Sequence, residues 1–209
     1  MTVTLPSPGA DAPCSCRPGD YRIHPDGLEP PALDTIDALY ERTQRDPEDR
    51  AALYPVTRRD LAHPDLMVVW QACRCGGRAL AALAVAPVPD AAVPSLAVKA
   101  LVVDQATRRE HRALELVQLL IAVLEGRLRE PCRLVCQLRR FGGGTLAPSA
   151  GIVRALGGTP EGKRLLRVAA RSALAAHYGL PPEAADADGF HTLEFETFSL
   201  ELTPRWRRS

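Results

Sequence analysis

No apolar run in this sequence approaches the roughly 18 residues that a membrane helix needs. Residues 1–20 also lack the basic start and apolar core of a secretory signal, so a water-soluble, cytoplasmic protein is expected. Charge of either sign is not in excess: 26 Lys and Arg against 25 Asp and Glu leave +1. No global field therefore draws the chain to nucleic acid or to a membrane, and only local arginine clusters would do so. No Gly-x-Ser-x-Gly occurs, which removes the hydrolase nucleophile elbow. The glycine-rich stretch Phe141-Gly142-Gly143-Gly144-Thr145 lacks the Gly-Lys-Ser/Thr ending by which a nucleotide loop holds phosphate and magnesium. There is no repeat of fixed period.

The cysteines form three close pairs, Cys14-x-Cys16, Cys73-x-Cys75 and Cys132-x3-Cys136. The first two are tighter than the usual Cys-x2-4-Cys zinc spacing, and Cys73 and Cys75 fall on one face of an expected strand. Reduced thiols packed as small apolar side chains are the default for such a chain, and no metal is expected.

What is present suits one well-buried core in 209 residues, with 46% hydrophobic and 24% charged residues. Residues 1–19, rich in Pro, Ser, Gly and Ala, read as a disordered leader, and residues 20–209 as a single domain. A short strand at Tyr21 to His24 precedes a helix opened by Pro31, whose Leu33, Ile36, Leu39 and Tyr40 recur at helical spacing. A second short helix begins at Thr57 and stops at Pro64. Two apolar runs, 66–75 and 78–85, joined by Gly76-Gly77, read as a hairpin. A third strand, about 96–103, leads into a long apolar helix from about Thr107 to Leu128. Pro131 ends it before a strand at 133–138, which implies a parallel right-handed crossover. A short helix at 148–156 closes on Gly157-Gly158. A helix at Glu161 to Tyr178 and a terminal strand at 191–202 complete the chain.

The stretch Val103-Asp104-Gln105-Ala106-Thr107-Arg108-Arg109-Glu110-His111-Arg112-Ala113 joins strand to long helix through an arginine-bearing turn, an arrangement suited to cradling an anion. With the order of elements, it resembles the GCN5-related N-acetyltransferase (GNAT) superfamily over roughly residues 20–203. Its turn follows Arg/Gln-x-x-Gly-x-Gly/Ala, matched at Arg108 and Ala113 and departed from at His111. The resemblance implies an α/β fold with a mixed central sheet flanked by helices on both faces. It implies an acyl-CoA-dependent N-acyltransferase, acetyl-CoA or another acyl-CoA being the co-substrate and a small amine or amino acid the acceptor.

It further implies that backbone N–H groups of Arg108, Arg109, Glu110, His111, Arg112 and Ala113 meet the coenzyme pyrophosphate, while Leu101 and Val103 offer backbone groups to its pantetheine arm. Val153 stands where many family members carry a Tyr acid, and Tyr178 is a candidate substitute. Candidate bases are His191, Glu194 and Glu196, with Glu110 and His111 beside the turn. Lys99 stands on the strand face opposite Val98 and Ala100, placed to make a salt bridge or to meet an acidic substrate group.

Two other roles fit the same fold. One takes an aminoacyl group from charged tRNA, with Lys163, Arg164, Arg167, Arg171 and Arg205-Trp206-Arg207-Arg208 as contacts. The other is a non-catalytic GNAT-like binding module. A homodimer is compatible with each.

Overall fold

The computed structural model describes residues 18–74 and 78–205. Cys14, Cys16, Cys75, the Gly76-Gly77 turn, Trp206 to Arg208 and residues 1–17 of the expected leader fall outside them. Pro18 and Gly19, read as leader, instead belong to the first strand. The strands are β1 (Pro18–His24), β2 (Met67–Cys73), β3 (Ala79–Pro87), β4 (Ser95–Val103), β5 (Cys132–Arg140), β6 (Thr159–Ala169) and β7 (Phe190–Leu202). They form one sheet in the order β1-β2-β3-β4-β5-β7-β6. Only β4 and β5 run parallel; the other neighbours are antiparallel.

Side-chain alternation sorts the apolar residues of β2, β3 and β4 onto two faces. Val68, Trp70, Ala82, Ala84, Ala100 and Val102 pack beneath helix α1 (Pro30–Gln44), which buries Leu33, Ile36, Leu39 and Tyr40 at the expected spacing. Val69, Ala81, Leu83, Val85, Leu101 and Val103 face the opposite way, against Leu116, Leu120 and Leu124 of helix α4 (Arg112–Arg127). The result is the expected α/β fold, a mixed sheet with helices on both faces. Two further short helices lie between β1 and β2. Helix α2 (Pro47–Ala52), which the sequence reading missed, is N-capped by Asp46, whose side chain accepts from Glu48 N at 2.8 Å. Helix α3 (Arg58–Leu61) is closed by a Thr57–Asp60 capping box. Helix α5 (Ala150–Ala155) ends at Gly157, whose φ of +81° is the left-handed cap glycine takes without strain.

Two expectations are corrected. The helix read at Glu161 to Tyr178 is strand β6, a turn and a short helix α6 (Ala173–His177). Lys, Arg and Leu favour helix locally, but β6 pairs with β7 from Thr159↔Ser199 to Ala169↔Phe190. That ladder outweighs propensities of a few tenths of a kcal/mol per residue. Pro160, which cannot donate to a ladder, sits on this edge strand where the register shifts. The long helix begins at Arg112 and not at Thr107, because residues Gln105–Glu110 form a 3-10 turn. Glu125, a charged residue of a type usually found at the surface, is buried.

The segment after α2 is held over the sheet by two basic side chains. Arg139 of β5 donates from Nη1 to the Ala51 carbonyl at 2.6 Å, its guanidinium over the rings of Tyr178 (4.6 Å) and Phe141 (5.0 Å). His177 Nε2 lies 3.0 Å from the Leu53 carbonyl. Burial lowers the His177 pKa, with Arg50 and Arg139 adding repulsion and the Leu53 hydrogen bond opposing it. The unfolded chain therefore binds the His177 proton at higher pH than the folded chain does. This contribution to stability is complete above the unfolded value, about 6.5, and is lost as pH falls below it. Urea unfolding of His177→Gln is accordingly expected to show a smaller drop in midpoint between pH 7 and pH 5 than the unaltered chain. Equal drops would refute this.

Candidate functional site

The site begins with one extra residue in β4. Residues Ala81 to Ala84 pair with Val103 to Ala100 in simple order, but Val85 pairs with Val98, leaving Lys99 unopposed. Such a bulge bends its strand and disrupts the ladder. On the other side of β4, pairing with β5 covers only Ser95↔Arg133, Leu96↔Leu134 and Ala97↔Val135 and then stops. β5 remains paired with β7 along its whole length, Cys132↔Leu202 to Arg140↔Glu194. β4 thus leaves β5 just where the bulge begins. Beyond Ala97 the edge it turns toward β5 has no strand partner among the described residues.

The gap is a cavity of about 130 Å³ that crosses the sheet. On the α4 side its wall includes Val117 of α4, Ile152 and Val153 of α5, and Cys136, Leu138 and Phe198. On the α1 side it is bounded by Tyr40 of α1, Leu53 and Tyr54 after α2, and Lys99. Ligands entering from opposite faces would meet inside it. Burial pushes the Cys136 thiol up to about 11, so it is not a thiolate nucleophile near neutral pH.

At the open end of the gap, β4 runs into the arginine-bearing turn. Asp104, 6% exposed, accepts from Arg78 Nη2 at 2.8 Å and Arg42 Nη2 at 3.4 Å. Its other oxygen accepts from Ala106 N at 3.1 Å, which starts the 3-10 turn. His111 ends that turn with φ +56° and ψ +15°, the left-handed region that glycine enters without the clash of a Cβ. The turn glycine of the family motif therefore corresponds to a backbone requirement, and His111 meets the same requirement at a cost. The first helical hydrogen bond of α4 is Glu115 N to His111 O at 3.1 Å. The N–H groups of Ala113 and Leu114, in the first turn, thus precede the first helical hydrogen bond, beside the positive end of the helix dipole.

Several sequence-named residues occupy places the motif does not convey. Arg108 forms a two-pronged ion pair with Asp49 of α2. Arg112 is 2% exposed and donates to Gln71 of β2, so it is part of the packed α4 face. Leu101 lines the gap, while Val103 lies beyond it, packed toward α4. Arg109 and Glu110 lie within the 3-10 turn.

None of Tyr178, His191, Glu194 and Glu196 lines the gap. Tyr178 packs among Val168, Ala175, Leu193 and Phe195, and burial, opposed by Arg139, pushes its phenol up to about 12. His191 is buried on β7, opposite Val168. Glu196 accepts from Arg140 at 2.8 and 3.0 Å. Glu194 lies 2.8 Å from Lys163 and 3.5 Å from Arg140, and Lys163 lowers its pKa.

The site instead holds two tyrosines that sequence reasoning did not assign to it. Tyr40 reads simply as the last apolar residue of the α1 face, yet it lines the gap and is 2% exposed. Its hydroxyl has no hydrogen-bond partner among the described residues, and burial raises its pKa. Tyr54, 59% exposed, borders the gap and the neighbouring groove. Its one local signal is an aromatic residue before Pro55 in a loop.

Relief of the left-handed strain at His111 should outweigh the backbone entropy that glycine adds to the unfolded chain. His111→Gly is expected to stabilise the fold by roughly 0.5–1 kcal/mol, a rise in Tm of about 1–4 °C at this size. A lower Tm would show that the histidine side chain contributes more than its backbone costs.

No family model matches the sequence, and no curated protein matches it. Solved structures do resemble it. The Escherichia coli ribosomal-protein-S18-alanine N-acetyltransferase superposes with a TM-score of 0.56 at 15% identity, over 88% of this chain and 95% of that one. Arabidopsis thaliana NAA60, solved in complex with a bisubstrate analogue, gives 0.57 at 10% identity over 88% and 99%. An N-acetyltransferase from Staphylococcus aureus Mu50 gives 0.54 at 11% identity over 88% and 99%. At such identities the likeness is one of fold: the chain shares the architecture of these N-acetyltransferases.

Proposed function

We propose that the chain is an acyl-CoA-dependent N-acyltransferase that transfers the acyl group directly to a small amine or amino acid. The observation that carries this reading is the gap between β4 and β5, lined from both faces of the sheet, with β4 running on from it into the turn that starts α4. The unpaired edge of β4, including Leu101 and Val103, offers backbone groups to the amides of a pantetheine arm, as a sheet edge does to an added strand. The pyrophosphate would rest on the backbone N–H groups around Arg112 and Ala113. Backbone groups carry this contact more than side-chain charge does, since Arg108 is held by Asp49 and Arg112 is buried.

The amine approaches from the α1 side. Its nitrogen attacks the thioester carbonyl carbon, the C–S bond breaks, and the thiolate leaves with a proton that the amine gives up. Cys136, held protonated, is unsuited to an acyl-enzyme intermediate, which favours direct transfer. Tyr40, buried and with no hydrogen-bond partner among the described residues, is the donor we assign to the charge that develops on oxygen or sulfur. Of the candidate cations for tRNA, Lys163 pairs with Glu194, and Arg167 with Asp186 and Asp188.

Acetyl-CoA or a longer acyl-CoA is expected to raise the melting temperature, because a ligand that binds only the native state stabilises it. No shift with any CoA ester overturns the proposal, and a salt-sensitive shift with bulk tRNA in its place would favour the aminoacyl-transfer alternative. Binding of acyl-CoA without transfer to any amine would point to a binding module. Tyr40→Phe removes a buried hydroxyl that has no internal partner. Its Tm is expected to stay within about 2–4 °C of the unaltered chain, the shift of one kcal/mol, while kcat falls on the order of ten- to hundred-fold. An unchanged kcat would remove Tyr40 from the chemistry.

A further inference from the structure

The bulge residue does more than bend its strand. Lys99 lines the gap and also a groove of about 770 Å³ on the α1 side, so its side chain stands where the two meet. Tyr54, Val56, Leu66, Ala86 and Pro87 give the groove a largely apolar wall, and its cations are Lys99 and Arg59. Neither cation has a carboxylate within salt-bridge distance among the described residues. Asp60 in the same groove feels both charges, but its Oδ2 accepts from Thr57 N at 2.8 Å and Thr57 Oγ1 at 2.6 Å, the contacts that cap α3. Asp65 is 71% exposed and lies 3.8 Å from His63.

We infer that this groove is the acceptor site and that the acceptor carries a carboxylate: an α-amino acid with an apolar side chain. Lys99 receives the carboxylate, Arg59 adds to the field that draws it in, and the apolar wall takes the side chain. An ammonium at the junction pins the carboxylate next to the gap, which brings the α-amine, two bonds from the carboxylate carbon, up to the thioester. Simple amines and amino-acid amides offer Lys99 no negative charge. Lys99 is thus a specificity-determining residue, and the assignment rests on the acyl-transfer reading above.

The test separates binding from turnover. N-acetylated leucine, methionine and phenylalanine, as free acids and as C-terminal amides, are titrated into 15N-labelled protein. The acids are expected to shift resonances around Lys99 and Tyr54 and to bind about ten-fold or more tighter than the amides, as a charged hydrogen bond contributes. Lys99→Gln should abolish that preference and Lys99→Arg retain it. In turnover, followed by thiol release from acetyl-CoA, Lys99→Gln should raise KM for the amino acids by a similar factor. It should leave kcat and the acetyl-CoA thermal shift nearly unchanged. Amides that bind or react as well as acids, acids that do not bind at all, or a Lys99→Gln effect equal for both would overturn the assignment. Loss of acyl-CoA binding alone would overturn the acyl-transfer reading and leave acid-over-amide binding to be judged by the titration.

Discussion

The structure depends on β4 being one residue too long for its partner. β3 holds β4 along one edge with Lys99 unopposed, and the bend this imposes takes the other edge away from β5 after three pairs. Backbone groups in the middle of a sheet are normally satisfied by the neighbouring strand. Here an unpaired edge lies at the centre of a seven-stranded sheet, bordering a cavity lined from both faces. The cavity, its access from two sides and the exposed start of α4 all follow from that departure.

Much of the remaining structure keeps the gap in shape. Asp104 anchors the end of β4 through Arg42 and Arg78, and Asp49 of α2 reaches across to Arg108 just beyond it. A buried ion pair seldom adds net stability, since desolvation offsets the attraction, but it fixes geometry. The fixed geometry here is a strand end and a left-handed residue from which α4 starts. His111 shows that this start is a property of the backbone. The position calls for positive φ, glycine is the residue that meets it most cheaply, and a different residue can occupy it when the flanking contacts hold it there.

The α1 side of the cavity is assembled from segments far apart in the chain. Arg139 and His177 hold the stretch after α2 from β5 and from α6, and this places Leu53 and Tyr54 over the gap. Glu194 and Glu196 of β7, by contrast, are engaged with Arg140 and Lys163. Besides Gln137, Ser149, Ser199 and the protonated Cys136, the polar side chains lining the cavity are two phenols and an ammonium. The chemistry they suit is stabilising developing negative charge and holding an anionic partner, more than removing a proton from the acceptor.

Periodicity in the sequence was enough to identify the strands β2, β3, β4, β5 and β7 and the helices α1 and α4, because burial of one face leaves a local imprint. It misread β6, where Lys163 to Arg167 favour helix and only pairing with β7 makes a strand. It named Tyr178, His191, Glu194 and Glu196 from their chemistry, without a means of seeing that none borders the gap. Tyr40 looked like core because core and cavity wall impose the same spacing. By itself the sequence determined the order and amphipathic faces of the elements, since these depend on neighbours a few residues away. The tertiary structure alone decided that Lys99 is the unopposed residue and that Tyr40, Tyr54 and Lys99 converge. Register between strands and contacts across the sheet are set by pairings between segments distant in the chain, which no local pattern records.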